Sequence, residues 1–262
     1  AVQRGFQEVA KSAIQVEKAL TDINVILNAS EKNLSKFGAQ LFNIAGKTGQ
    51  AFDTVSEAAT ELARQGLTME ETLKRTRDAM ILTRLSGMDA ASAVQSLTAA
   101  LNTFNKSALT STQIVNKMAN VDAAFAVSTN DLAEALKRVG SSAQDAGVGF
   151  DQLLAIVTSV QQTTARGGAV IGNSLKSIFT RVQRTEVIKQ LEHLGVAVRD
   201  TSGAMLPAMQ VMTNLAKTID TLTHAQKANI TELMGGVFQI NVVKAALGDL
   251  GKQYSIYQNA LD

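Results

Sequence analysis

The chain has 262 residues, 45% of them hydrophobic but only 4% aromatic, with no Trp, no Cys, a single Pro and a formal net charge of +2. That length and apolar fraction exclude wholesale disorder and provide for one sizeable core or two smaller ones, built from Ala, Leu, Val and Ile rather than from aromatic rings. The missing Cys excludes disulfides, thiolate metal sites and Cys nucleophiles, and the near-neutral charge predicts neither a DNA-coating protein nor a polybasic membrane binder.

The most regular pattern lies in residues 6–44. Steps of three and four alternate through Phe6, Val9, Ala13, Val16, Leu20, Ile23, Leu27, Ser30, Leu34, Phe37, Leu41 and Ile44. Only Ser30 is polar. A strict 3.5-residue repeat keeps one seam facing a partner and predicts a left-handed coiled coil over residues 1–49. With Leu20, Leu27, Leu34 and Leu41 at a, and Val16, Ile23 and Ile44 at d, the core choice favours a trimer or higher oligomer over a dimer. Ser30 sets register or marks a break, and Gly38 weakens the helix beside the seam. Ile14 and Ile26 widen the apolar face, which suits the alternative, an amphipathic helix packed on the chain's own core.

From residue 50 the pattern becomes a run of short capped helices. Asp53 is the expected cap of a helix to about Gln65, stopped by Gly66. Thr68 and Glu71 form a capping-box pattern, and that helix ends near Gly87. Asp89 caps the next, toward Phe104. Thr110 to Gln113 opens another, with Ile114, Val115, Met118, Val121 and Phe125 inward. Ser128 to Asp131 opens a helix closed by Gly140, followed by a short piece from Ser142 to Gly147. Asp151 stands near the start of an apolar helix through Val160. Arg166-Gly167-Gly168 breaks the chain before a helix over 170–184. These are antiparallel hairpins with short loops, so residues 50–184 read as one compact helical body.

In residues 185–262, Thr185 is the expected cap of a helix ending at Gly195. The Val196 to Leu206 stretch carries alternating Val and an Asp-Thr-Ser-Gly turn, the pattern of a small β-hairpin near 196–206. Pro207 suits the first turn of the next helix. Thr223 caps a further one, which Gly235-Gly236 interrupts, and helices are expected over 237–247 and 254–261. The fold class is therefore all-α: a long N-terminal heptad helix, antiparallel helical hairpins and one small hairpin.

Motifs that would carry chemistry are weak. Gly46-Lys47-Thr48 resembles the end of a phosphate loop, but the Gly required five residues earlier is Leu41 and no strand precedes it. Arg166, Lys176, Arg181 and Arg184 form a modest basic cluster near Gly167, Gly168 and Gly172. It reads either as a phosphate or partner contact or as a solvated helix face. His193 and His224 are the only imidazoles, too few for a triad or a metal set. Glu57, Glu61, Glu70 and Glu71 sit where they stabilise helix dipoles. The Met205, Met209, Met212 stripe has helical spacing and reads as core. No catalytic, cofactor-binding or metal residue is assigned. No run of ~18 uninterrupted apolar residues is present. The chain opens at Ala1, without a Met and already in a helical pattern, which points to a fragment of a longer protein.

Several blocks resemble the helical domain of phage tail tape-measure proteins. They are Ala58 to Gly66, Leu97 to Phe104, Val115 to Lys117, Ala119 to Ser128, Leu136 to Ala143 and Gln161 to Gly168, with the later Leu194-Gly195-Val196 turn. The resemblance implies a mostly helical, non-enzymatic virion protein, present in a few copies inside the tail tube, whose length sets tube polymerisation. By the same resemblance its partners are tail tube subunits, assembly chaperones, tail-tip or baseplate proteins and, at ejection, the host envelope. It is expected in the host cytoplasm during assembly and is released ahead of the DNA. No catalytic residues are carried over. Two other readings stay open: a non-viral coiled-coil scaffold or adaptor, and a lytic cell-wall hydrolase region, for which the sequence offers no carboxylate pair.

Overall fold

The computed structural model describes the backbone of residues 2–253 and 255–261, and the side chains of these from residue 12 onward. The chain is all-α. Its helices are α1 (Val2–Leu27), α2 (Glu31–Thr48), α3 (Phe52–Ala63), α4 (Met69–Ser86), α5 (Ala90–Thr103), α6 (Ser111–Ala124), α7 (Thr129–Asp145), α8 (Phe150–Thr164), α9 (Gly168–Val182), α10 (Thr185–His193), α11 (Ala208–Thr218), α12 (His224–Leu250) and α13 (Ile256–Leu261). They form two compact units. The first holds residues up to 97 together with 111–115, and the second holds 98–110 and 116 onward.

In the first unit α1 packs on α3, and α2 and α3 pack on α4. Ile23, Phe37, Leu41, Val55, Leu62, Met80 and Leu82 are buried there. The single helix expected over residues 1–49 is two helices. Asn28 takes a left-handed conformation with φ 47°, which Asn tolerates better than most residues. The Asn24 side chain holds the turn, accepting from the Ala29 N–H at 2.8 Å and donating to the Ala29 carbonyl at 3.3 Å. Ser30 then caps α2 by accepting from the Asn33 N–H. At the other end Gly49 closes α2 at φ 69°, and Phe42 stacks on Phe52 with ring centroids 4.1 Å apart. Asp53 is not the cap of α3. Ala51 holds that position, and Asp53 lies in the first turn, where its charge still favours the helix dipole.

In the second unit α8 is the central element, with every residue from 153 to 160 buried, and it packs against α12 and α13. Helix α9 crosses α7 closely. A Cβ added at Gly168 would stand 1.9 Å from the Asp131 carbonyl oxygen, and one at Gly172 would stand 2.8 Å from that of Ala135. Two glycines four apart thus remove side chains along one face and let the backbones touch. Gly140, expected to end a helix, lies inside the continuous α7. Its α-carbon faces Thr103, whose Oγ1 an added Cβ would meet at 3.1 Å. The glycine there serves packing rather than termination. Thr185 is the first residue of α10 and Arg184 its N-cap.

Residues 196–206 form an antiparallel turn reduced to one bridge, Arg199 with Met205. The Asp200 carboxylate accepts from the Ser202 and Ala204 N–H groups and so organises the turn from inside. No strand forms among the described residues. Helix α12 is long and apolar enough, by length and composition, to cross a membrane. Here it is a core helix: Ile230, Met234, Val242, Val243, Ala246 and Leu247 are buried. The expected interruption is present, with Gly236 at φ 62° and ψ 177° kinking it. The helix expected to begin at Tyr254, which lies outside the described residues, begins at Ile256.

The glycine packing predicts opposite effects from one substitution type. Gly168→Ala should cost about 3 kcal/mol or more, because α9 must move off α7. Gly46→Ala in α2, with nothing within 4 Å of the added Cβ, should stabilise by about 1 kcal/mol. Urea denaturation of both variants checks the pair, and equal effects would contradict the packing argument.

Candidate functional site

The polar chemistry of the interior is concentrated on aspartates at helix starts. Four aspartates among the described residues each hold the beginning of a helix later in the chain. Asp78, 1% exposed, accepts from the Ser111 hydroxyl at 2.6 Å and the Thr112 hydroxyl at 2.8 Å, at the start of α6. Arg77 closes the other carboxylate oxygen. Asp122 accepts from the Thr129 N–H at 2.8 Å and from its hydroxyl, at the start of α7. Asp131 accepts from the Gly168 N–H at 2.6 Å, at the start of α9, and from Gln161 and Ser128. Asp249, 1% exposed, accepts from the Ile256 and Tyr257 N–H groups at the start of α13 and from the Ser159 hydroxyl of α8.

For Asp122, Asp131 and Asp249 the reason is common, whereas Asp78 is bonded to the hydroxyls of the first two residues of α6. The first N–H groups of a helix have no partner within it and sit at the positive end of its dipole. A carboxylate brought there from another helix satisfies them while keeping its own charge compensated. For Asp131 burial opposes ionisation most strongly. The bonds from the Gly168 amide, Gln161 and Ser128 outweigh it and hold the carboxyl below the usual carboxylate range. For Tyr257, burial pushes the phenol up to about 12, against a hydrogen bond from Gln152.

The heptad residues are used in several ways. Ile23, Phe37, Leu41 and Ile44 are buried by the chain itself. Val16, Leu20, Leu27 and Leu34 are half-buried, and Leu20 lies over Gly38. The side chains of Phe6 and Val9 lie outside the described residues. The basic residues are not gathered onto one face. Arg166 precedes α9, Arg184 follows it, and Lys176 and Arg181 stand five positions apart, about 140° around the helix. Arg181 is half-buried beside Gly236 of α12, and Lys176 is exposed. Gly46 and Lys47 lie inside α2, so no phosphate loop forms there.

The aspartate junctions escape sequence reading because each joins residues 7 to 90 positions apart. Asp249 carries one usable signal, a lone carboxylate in the apolar run Ala245 to Leu250. Among the described residues no group of three His, Cys, Asp or Glu is placed to hold a metal ion.

The depressed Asp131 carboxyl gives a pH prediction with a definite sign. Its stabilisation is complete above the unfolded value, near 4, and is lost as pH falls through the lower folded value. Asp131→Asn should therefore cost about 1–2 kcal/mol near pH 7. The gap from the parent chain should narrow below about pH 4. Thermal melts at pH 7 and pH 3 measure both, and a gap that widens in acid would contradict the assignment.

Residues 31–236 match the family described as phage-related minor tail protein. The chain is also similar to the tape measure protein of Pneumococcus phage Dp-1, at 21% identity over 215 residues, which is 81% of this chain and 19% of that protein. The chain thus spans about a fifth of the length of that relative. No solved structure matches. With a match across most of its helices, the chain belongs to the phage-related minor tail protein family, a structural family of the phage tail rather than an enzyme class.

Proposed function

We propose that this chain is a folded helical segment of a tape-measure protein, which lies in the lumen of the tail tube, sets tail length during assembly and leaves at DNA ejection. The observation that carries the reading is the match, over 81% of the chain, to a tape measure protein. In this reading the protein assembles in the host cytoplasm with tail tube subunits, chaperones and tail-tip proteins, and meets the host envelope at ejection.

The helix lengths bear on what this segment contributes in that reading. As one continuous helix, 262 residues would span about 390 Å. The longest helix among the described residues, α12, has 27 residues and is kinked, so no element exceeds ~40 Å. A ruler needs extended helix. This segment is a set of short packed helices and adds a fixed increment, while the longer remainder of such a protein supplies the measured length.

Inserting about 100 residues of continuous helix beside this segment, within the full-length gene, should lengthen the tails by about 150 Å. Electron microscopy of the tails reads the result. Assembled tails of unchanged length would sink the length-setting role.

A further inference from the structure

The first unit has a groove of about 960 Å³ between α1, α3 and the start of α5. Its walls are helix faces. The α1 wall runs from Gln15 to Ile26 and the α3 wall from Asp53 to Arg64, three turns each, or ~16 Å. Ala19, Ala58, Ala90 and Ala91 keep the floor shallow and apolar. Val25, 81% exposed, stands at its edge with no cover. The shape is that of a helical bundle lacking one helix. The rim is acidic: Asp22, Asp53, Glu57 and Glu61 face Lys18 and Arg64, and Arg64 is already paired with Glu61 at 3.5 Å.

The same unit carries a surface of matching length and opposite charge. On α4, Ile81 and Leu85 are 36% and 45% exposed, one turn apart. Lys74 and Arg84 lie within about 100° of them around the helix, while the neighbouring Arg77 is already paired with Asp78. This stripe also runs three turns, from Lys74 to Leu85. Helix α4 packs against α2 and α3 in the same unit; Lys74 borders α2, and Ile81 and Leu85 are the stripe's exposed apolar end.

We propose that the α4 stripe of one copy docks as the missing helix in the α1–α3–α5 groove of a second copy. Ile81 and Leu85 lie on the alanine floor, and the cations of the stripe meet Asp53, Glu57 and Glu61. The contact joins different surfaces, so it leaves a free groove at one end and a free stripe at the other. Such an interface propagates head to tail unless its rotation closes a ring. Self-association, expected along the heptad seam, is placed here on another surface, independently of any role in length setting.

Sedimentation velocity of the 262-residue chain over a range of concentrations tests the contact, with circular dichroism to verify folding. The parent chain should self-associate, and more weakly at 1 M than at 0.1 M salt, because salt screens the rim charges. Glu57→Lys with Glu61→Lys should weaken association at least tenfold, as should Lys74→Glu with Arg84→Glu. Mixing the two reversed variants should restore a hetero-complex. Ala91→Trp, which fills the groove without changing charge, should block association while leaving the fold intact. A chain that stays monomeric at every concentration overturns the proposal. So do folded reversal variants that associate like the parent. Failure of the mixed variants to restore association, after each alone has lost it, removes the α4 stripe as the occupant and overturns it equally.

Discussion

The interior depends on carboxylates placed at the beginnings of helices. Burial of Ala, Val, Leu and Ile is non-directional, and a core of similar small side chains leaves several helix arrangements close in energy. With no Trp and few aromatic rings, shape alone discriminates weakly among them. Each buried aspartate adds a directional requirement. Asp249 must reach two N–H groups of α13 and the Ser159 hydroxyl of α8 at once. A slide of α12 along α8 by one turn, about 5.4 Å, breaks the Ser159 bond and leaves a buried charge short of a partner. Asp78 imposes the same condition on α4 and the start of α6 in the first unit.

At the α7–α9 crossing the directional and the steric requirements coincide. The Gly168 N–H reaches the Asp131 carboxylate at 2.6 Å only because its α-carbon carries no side chain, and the Asp131 backbone occupies the space a Cβ would take. The bond and the close approach therefore depend on each other. Ser128, which caps α7, also donates to Asp131, so the start of one helix is tied to the start of another through a single side chain. The Arg166-Gly167-Gly168 segment has a structural reason in this junction: it supplies a turn, a glycine backbone and an unsatisfied amide at one point.

How much was legible follows from the range of each interaction. Thr68, Asp89, Ser128 and Thr223 cap the helices expected of them, because a cap is decided within four residues. The kink at Gly236 was legible for the same reason. Gly140 misled because glycine has two uses, termination and close approach, and only the position of Thr103 in space separates them. The break at Ser30, one of the two readings open for that residue, is present, although the apolar spacing continues through it; the Asn24 side chain and the Ser30 cap make the turn. The basic cluster looked compact in sequence but spreads around α9. The groove is invisible to any linear reading, because its walls come from three helices and each of its acidic residues alone is an ordinary surface carboxylate of a helix.

The use of α1 shows how one helix can satisfy two faces. Its strict seam residue Ile23 is fully buried within the first unit, so a coiled coil built on that seam would have to compete with contacts the chain already makes. The off-seam residues are different. Ile14 and Val25 are 65% and 81% exposed and stand eleven positions apart, close to a whole number of helical turns, so they fall on one line along the helix. Lys18 and Thr21 lie between them on that line, and Ile26, the other residue that widened the pattern, is half-buried. Of Ile14 and Val25, Val25 borders the acidic groove, so α1 gives its seam residue Ile23 to its own core and leaves Val25 beside that groove.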